Sequence, residues 1–332
     1  MKIVSKKHAT GDAHKHKPGP AAAAPLLRKM TPGTRPKPAH ATMPHARPRP
    51  AAQKTPEAVT PATFFSTRYK LLELISKGGG GTVYKAEDRM LGLAVAIKVL
   101  PERVTRDRPT MARFKHEAGI ALQLSHENIV KLHNLEMDRN RVFLVMEFVD
   151  GRDFRRILSS HSVLPLVPVM QVVKACAKAL DYAHSRGVIH MDLKPENLML
   201  TTESTLKIVD FGTAHRIDTI QAAGRTIVEG SPPYMSPEQL RGEPLDARTD
   251  VYSLGAIAYE LVSGNPPVPV DADIETMLAA RPGQILSLPG NVSDVICRAL
   301  EKNREHRWRS AGEFYRELLR AHEESGASPA KP

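Results

Sequence analysis

Proline and positive charge crowd into one end of this chain, and that break in composition limits what the remainder can fold into. Residues 1–65 hold 11 of the 27 prolines, eight lysines and four arginines, against only Asp12 and Glu57, so +10 of the net +11 charge lies there. Such a segment cannot bury enough apolar surface to offset the entropy of ordering, and is expected to be a disordered basic tail. Its histidines (His8, His14, His16, His40 and His45) lack the regular spacing of a metal tract and read as solvated. The rest is nearly neutral, and a chain 41% hydrophobic and 25% charged suits a globular enzyme with ample core. No apolar run reaches the roughly 18 residues of a membrane helix. The basic start, 1–7, is not followed by the apolar core of a secretory signal, so a cytoplasmic setting is expected. Cys176 and Cys297 read as two buried free thiols of a reducing compartment.

From Tyr69 the pattern changes. Segments 69–75, 82–88 and 94–100 are β-rich runs separated by glycine-containing turns, which predicts an antiparallel meander. A helix over about 109–124 and strands over 129–137 and 141–148 follow. Val169, Val172, Val173, Cys176, Leu180 and Ala183 recur at helical spacing and give a helix over 169–185 one apolar face. Further helices are predicted at about 249–263, 274–280, 292–300 and 310–322. The expected class is therefore α+β, a sheet-rich lobe and then a helical lobe, with a cleft near 148–151.

Three groups of residues carry chemistry. The run Ile75-Ser76-Lys77-Gly78-Gly79-Gly80-Gly81-Thr82-Val83-Tyr84 lies between two predicted strands. Glycines let backbone N–H groups approach phosphate oxygens, although a plain hairpin turn uses the same residues. In Val95-Ala96-Ile97-Lys98 a lysine closes an apolar strand, with Glu117 on the next helix available as a partner. On its own that lysine reads better as one whose head reaches solvent. The third is His190-Met191-Asp192-Leu193-Lys194-Pro195-Glu196-Asn197, followed after two apolar strands by Asp210-Phe211-Gly212. Two aspartates and an asparagine on one edge are what an oxygen-preferring Mg²⁺ needs beside substrate phosphates.

Taken in order, these groups resemble the catalytic domain of eukaryotic-type protein kinases, specifically the bacterial Ser/Thr kinases of that family. Ser236-Pro237-Glu238, Asp250-Val251-Tyr252-Ser253-Leu254-Gly255 and Arg307 extend the resemblance over about 69–319. It implies a two-lobed kinase fold over 66–322, with N-lobe 66–147, hinge 148–151 and C-lobe 152–322, and a short flexible tail at 323–332. It also implies a Ser/Thr kinase that uses ATP with Mg²⁺, or Mn²⁺ in its place. By the same resemblance Ile75 to Val83 (Ile75, Ser76, Lys77, Gly78, Gly79, Gly80, Gly81, Thr82 and Val83) cover ATP, joined by Ala96, Met199 and the gatekeeper Met146. Lys98 contacts the α- and β-phosphates and is held by Glu117. Glu147 and Val149 offer hinge backbone to adenine, and Asp153 reaches the ribose. Asp192 is the catalytic base, Lys194 stabilises the transferring phosphoryl group, and Asn197 and Asp210 bind metal. Ser231, in the activation segment, bonds Asp192 and Lys194; Glu238 pairs with Arg307, and Asp250 braces the catalytic loop. Lys194, where tyrosine kinases of the family differ, and the segment 230–238 point to Ser/Thr specificity.

The chain departs from the family at two places. Ser76 replaces the first glycine of the loop, and a Cβ there resists positive φ, which is expected to stiffen the loop and weaken ATP affinity. Met191 replaces an arginine that pairs with a phosphorylated activation-loop residue, so activity is expected to be independent of phosphorylation at Thr213, Thr219 or Thr226, with the Lys98–Glu117 pair formed without it. A pseudokinase scaffold is the first rival reading, but Lys98, Asp192, Asn197 and Asp210 are all present. A small-molecule kinase is the second; it would lack the Pro-Glu segment and the helix start at Asp250. The basic tail interleaves no aromatics with its charge, so no specific nucleic acid is expected, only contact with acidic partners. The expected substrates are serine- or threonine-bearing proteins.

Overall fold

A computed structural model describes residues 64–65, 67–138, 141–211, 215–216 and 231–326. The expected tail up to residue 63, Gly212, the loop threonines Thr213, Thr219 and Thr226, and residues 327–332 lie outside the described residues. The N-terminal part is a six-stranded antiparallel sheet of β1 (Phe64–Phe65), β2 (Tyr69–Gly78), β3 (Gly81–Asp88), β4 (Leu93–Val99), β5 (Leu132–Asp138) and β6 (Arg141–Glu147), in the order β1-β2-β3-β4-β6-β5. Two residues of the expected tail thus belong to the sheet, Phe64 opposite Lys70 and Phe65 opposite Tyr69.

The strands alternate their side chains between two destinations. Val95 and Ile97 of β4 join Tyr69, Leu71, Ala86, Phe143 and Val145 in a small core of their own. Ala96 and Lys98, one residue out of phase, face the other side, where their partners across the ladder are Met146 and Leu144. That second face is the one turned to the rest of the molecule, since Leu144 belongs to the large core of the helical part.

Helices α1 (Glu102–Arg106) and α2 (Arg108–Ala121) connect β4 to β5. Helix α2 starts one residue before its expected position because the Asp107 side chain accepts from Thr110 N at 3.0 Å and Pro109 fits the first turn. The strand expected from 129 begins at Leu132 instead, because 128–130 pair elsewhere. Val130 N donates to Ile208 O at 2.9 Å, Ile208 N to Asn128 O at 2.8 Å, and Asn128 Nδ2 to Leu206 O at 2.8 Å. These bonds tie the sheet part to the helical part.

The helical part comprises α3 (Phe154–His161), α4 (Leu166–His184), α5 (Pro237–Arg241), α6 (Arg248–Ser263), α7 (Ile274–Ala279), α8 (Gly290–Ala299) and α9 (Ala311–Glu324). Helix α4 buries the apolar face read from its periodicity and packs against α6 and α9. Helix α9 runs two residues beyond the expected boundary at 322. A three-stranded sheet of β7 (Gly151–Asp153), β9 (Leu198–Thr201) and β10 (Leu206–Ile208) and the pair of β8 (Val188–Ile189) with β11 (His215–Arg216) line the cleft side. Gly151 is required where β7 meets β9, since a Cβ there would lie 2.2 Å from Leu200 O. Cys176 is buried as expected, whereas Cys297 is only half-buried, and both are free thiols. Among the described residues no helix is long and apolar enough to cross a membrane.

Candidate active site

The glycine run forms the β2–β3 hairpin, with Gly78 opposite Gly81 and Lys77 opposite Thr82. Ser76 pairs with Val83 as ordinary strand, next to a bulge at Ile75, and is not among the residues with positive φ. The expected strain at Ser76 is therefore absent. The left-handed conformation falls on Gly81, at φ +131°, where a Cβ would lie 2.4 Å from Val99 O. The turn folds over Lys98, since a Cβ added at Gly80 would come 3.8 Å from Lys98 Nζ. Arg103 of α1 clasps the turn from outside by donating to Gly79 O.

Beneath this roof Val83 stands opposite Lys98 and Ala96 opposite Met146, so all four side chains share one face. Met199 pairs with Asp153 across β9 and β7. Val149 is buried, and Glu147 is pinned from both sides. Its N–H donates to Lys131 O at 2.9 Å and its carboxylate pairs with Lys207 at 2.7 Å, so an adenine bond to Glu147 would have to use the carbonyl. Asp153 caps α3, accepting from Arg156 N at 2.8 Å.

On the floor, three side chains converge on Asp192. Lys194 Nζ donates to Asp192 Oδ2 at 2.8 Å and to Ser231 Oγ at 2.8 Å, while Ser231 Oγ donates to Asp192 Oδ1 at 3.2 Å. Asn197 Nδ2 donates to Asp192 O at 2.7 Å and lies 3.3 Å from Asp192 Oδ2. Both carboxylate oxygens are oriented, and with the Asn197 amide nitrogen engaged its carbonyl oxygen remains as a ligand for a cation.

Lys98 does not take the partner expected for it. Among the described residues its ammonium pairs with Asp210, and Glu117 stands half-buried on α2 without joining that pair. The Lys98 side chain is only 10% exposed, and a desolvated ammonium takes the carboxylate that reaches it. Burial works against ionisation of Asp210, but Lys98 outweighs it, helped by His190 and Lys194, and holds the carboxyl below its ordinary range. A carboxylate and an amide oxygen, hard donors leaving room for phosphate oxygens, fit a divalent ion of the Mg²⁺ kind.

The loop carrying Asp192 is held from behind. Asp250 accepts from His190 N at 2.9 Å and Met191 N at 3.0 Å, and His184 Nε2 lies 2.7 Å from its Oδ2. Burial opposes its charge, yet His184 with these donors holds its carboxyl below the usual range. Met191 adopts φ +67° and Asp210 φ +69°, conformations that cost a non-glycine residue about 1–3 kcal/mol each. Met191 is locked there by Gln239 Nε2, which donates to its carbonyl at 2.8 Å, and by apolar packing on Ile189 and Leu245. Glu238 accepts from both Arg307 terminal nitrogens, at 2.6 and 2.7 Å, in a fork buried to within 4%.

Two groups escaped the sequence reading. Gln239 announces itself by the Ser236-x-x-Gln239 capping box that starts α5. Arg155 links Glu196, Glu260 and Tyr234, and the sequence holds no signal for it.

Residues 69–324 match the family described as protein kinase domain. A probable serine/threonine-protein kinase of Clostridium acetobutylicum is 36% identical over 265 residues, which cover 77% of this chain and 40% of that protein. The serine/threonine-protein kinase PknB of Mycobacterium tuberculosis is 35% identical over 289 residues, covering 82% of this chain and 46% of PknB. The chain therefore spans less than half the length of these relatives. The crystal structure of the Mycobacterium tuberculosis PknI kinase domain aligns with a TM-score of 0.64 and 28% identity, over 78% of this chain and 96% of that one.

Proposed function

The chain belongs to the protein kinase domain family, and from that premise we propose that it transfers the γ-phosphate of ATP to serine and threonine hydroxyls of protein substrates. The observation that carries this reading is the Asp192 carboxylate, oriented by Lys194, Ser231 and Asn197 on the cleft floor across from the glycine turn and Lys98. In this reading Asp192 takes the proton of the acceptor hydroxyl as its oxygen attacks the γ-phosphorus; the bond to the β-phosphate oxygen breaks and ADP leaves. Lys194 stabilises the charge on the moving phosphoryl group, and Ser231 keeps both side chains in register. Lys98 leaves Asp210 for the nucleotide phosphates. Asn197 and Asp210 hold Mg²⁺, or Mn²⁺ in its place, which when bound neutralises phosphate charge. The hairpin from Ile75 to Val83 covers the phosphates, and Ala96, Met146, Met199 and Val149 enclose the adenine with the Glu147 carbonyl. Glu238 and Arg307 anchor the activation segment to the helical part.

Asp192→Asn is expected to lower phosphate transfer by about 10²–10⁴-fold while nucleotide binding is nearly retained, and Lys98→Met to abolish transfer. Labelled ATP with Mg²⁺ and a generic basic protein provides the assay. Equal rates for Asp192→Asn and the parent chain would refute the assignment, and phosphotyrosine as the main product would refute the Ser/Thr reading.

The free thiols Cys176 and Cys297 support a reducing, cytoplasmic setting. The +10 of residues 1–65 draws acidic partners by charge alone, with no specific nucleic acid. Retention on an anionic resin should weaken steeply as salt rises and vanish when 1–63 are removed; retention that ignores salt would contradict it.

A further inference from the structure

Arg155 is the second residue of α3, and its guanidinium reaches three elements at once. Nε donates to Glu196 Oε1 at 2.8 Å, Nη1 to Glu260 Oε1 at 2.6 Å, and Nη2 to the Tyr234 hydroxyl. The Tyr234 hydroxyl in turn donates to Glu260 Oε2 at 2.6 Å. One guanidinium therefore serves two carboxylates, and the cluster keeps a net negative charge. Glu260 is buried at 3% exposure, but Arg155 and Glu196 retain 38% and 43%, so the cluster opens to solvent on the Glu196 side.

Its position ties it to the chemistry. Glu196 lies in the turn Pro195–Asn197, between Lys194 and Asn197, both of which bond Asp192. Tyr234 lies three residues beyond Ser231, the other group on that carboxylate. An extended peptide advances about 3.3–3.6 Å per residue, so a side chain two or three residues from an acceptor hydroxyl at Asp192 comes within reach of Glu196. Two carboxylates at that spot, one buried and one open, suit the planar fork of an arginine. The chain already fills them with an arginine of its own. Glu260 needs a partner because it is buried, but Glu196, nearly half exposed, does not; its bond to Arg155 closes the site.

We propose that Arg155 is an internal counter-ion that occupies the Glu196–Glu260 pair and denies it to basic side chains of a protein substrate. It is a specificity-determining residue that leaves the enzyme indifferent to arginine near the acceptor. The proposal rests on the protein kinase reading. Removing the guanidinium should convert an indifferent enzyme into one that prefers arginine.

The test is a positional peptide library phosphorylated by the full chain and by Arg155→Ala. The parent chain should enrich arginine or lysine less than about twofold at every position within three residues of the acceptor. Arg155→Ala should enrich arginine at least about fivefold at one of them, and adding Glu196→Gln should erase that gain. A flat profile from an active Arg155→Ala, or a parent chain that already selects arginine, overturns the proposal. If Arg155→Ala does not fold, Arg155→Ala/Glu260→Gln removes the buried charge and leaves Glu196 to produce the enrichment or fail to. If the parent chain transfers no phosphate, the kinase reading is what fails. The proposal is then decided by fluorescence anisotropy: an arginine-containing peptide should bind Arg155→Ala at least about fivefold tighter than its alanine counterpart, and equal binding overturns it.

Discussion

Asp250, fully buried, and Lys302, half-buried, are both charges of the helical part, and they behave oppositely. Asp250 stays ionised because His184 and two backbone amides replace the water it lost. Lys302 has fewer compensations, donating to Met277 O at 2.8 Å with Arg307 and Arg241 nearby. Burial and those two like charges push its pKa down to about 8. In the unfolded chain a lysine titrates near 10.4, so between these values the unfolded state binds more protons and stability rises with pH. Lys302→Met is expected to remove that rise, worth on the order of 1 kcal/mol once its partial exposure is allowed for. Urea midpoints of both proteins at about pH 7.5 and about pH 10 provide the check; parallel midpoints would show that Lys302 keeps its ordinary pKa.

At the level of elements, what was legible in the sequence was local. The meander is readable because its turns contain glycine and β3 and β4 carry β-branched residues, and α4 because apolar residues recur at its own period. The catalytic loop and its Asn197 are readable because Asp192, Lys194 and Asn197 interact within a few positions of one another. What failed were relations that only the folded backbone decides. The pairing of Lys98 with Asp210 spans 112 positions, and nothing in the composition of β4 chooses between that carboxylate and Glu117. Arg155 meets partners 41, 79 and 105 positions away, while Phe154-Arg155-Arg156 by itself looks like a solvated helix start. Ser76 was misjudged because glycine runs do not reveal which position takes the left-handed turn; the close approach of Val99 O assigns it to Gly81. The apolar pair Ile129–Val130 looks like the start of a strand of the sheet, but its backbone serves the seam with β10 instead.

At the scale of the molecule, the two largest apolar clusters among the described residues are very unequal. Tyr69, Leu71, Ala86, Val95, Ile97, Phe143 and Val145 form one cluster, and the far larger one gathers around α4, α6 and α9. A cluster of that size supports less cooperative structure than the larger one, so the two parts are expected to open at different free energies. In native-state hydrogen exchange the amides of β2, β3 and β4 should be at least tenfold less protected than those of α4 and α6; uniform protection would show a single cooperative unit. The sheet itself separates the small cluster from the cleft, whose roof is its other face with Val83, Ala96 and Lys98, so a molecule lodged there bridges the sheet to the helical part. On the proposed kinase reading, nucleotide is then a splint as well as a reactant: it raises protection in the weaker sheet by mass action, by an amount that grows with the logarithm of its concentration once it exceeds Kd. The chain would be least prone to local unfolding while nucleotide fills the cleft, and most exposed to proteolysis when it has left.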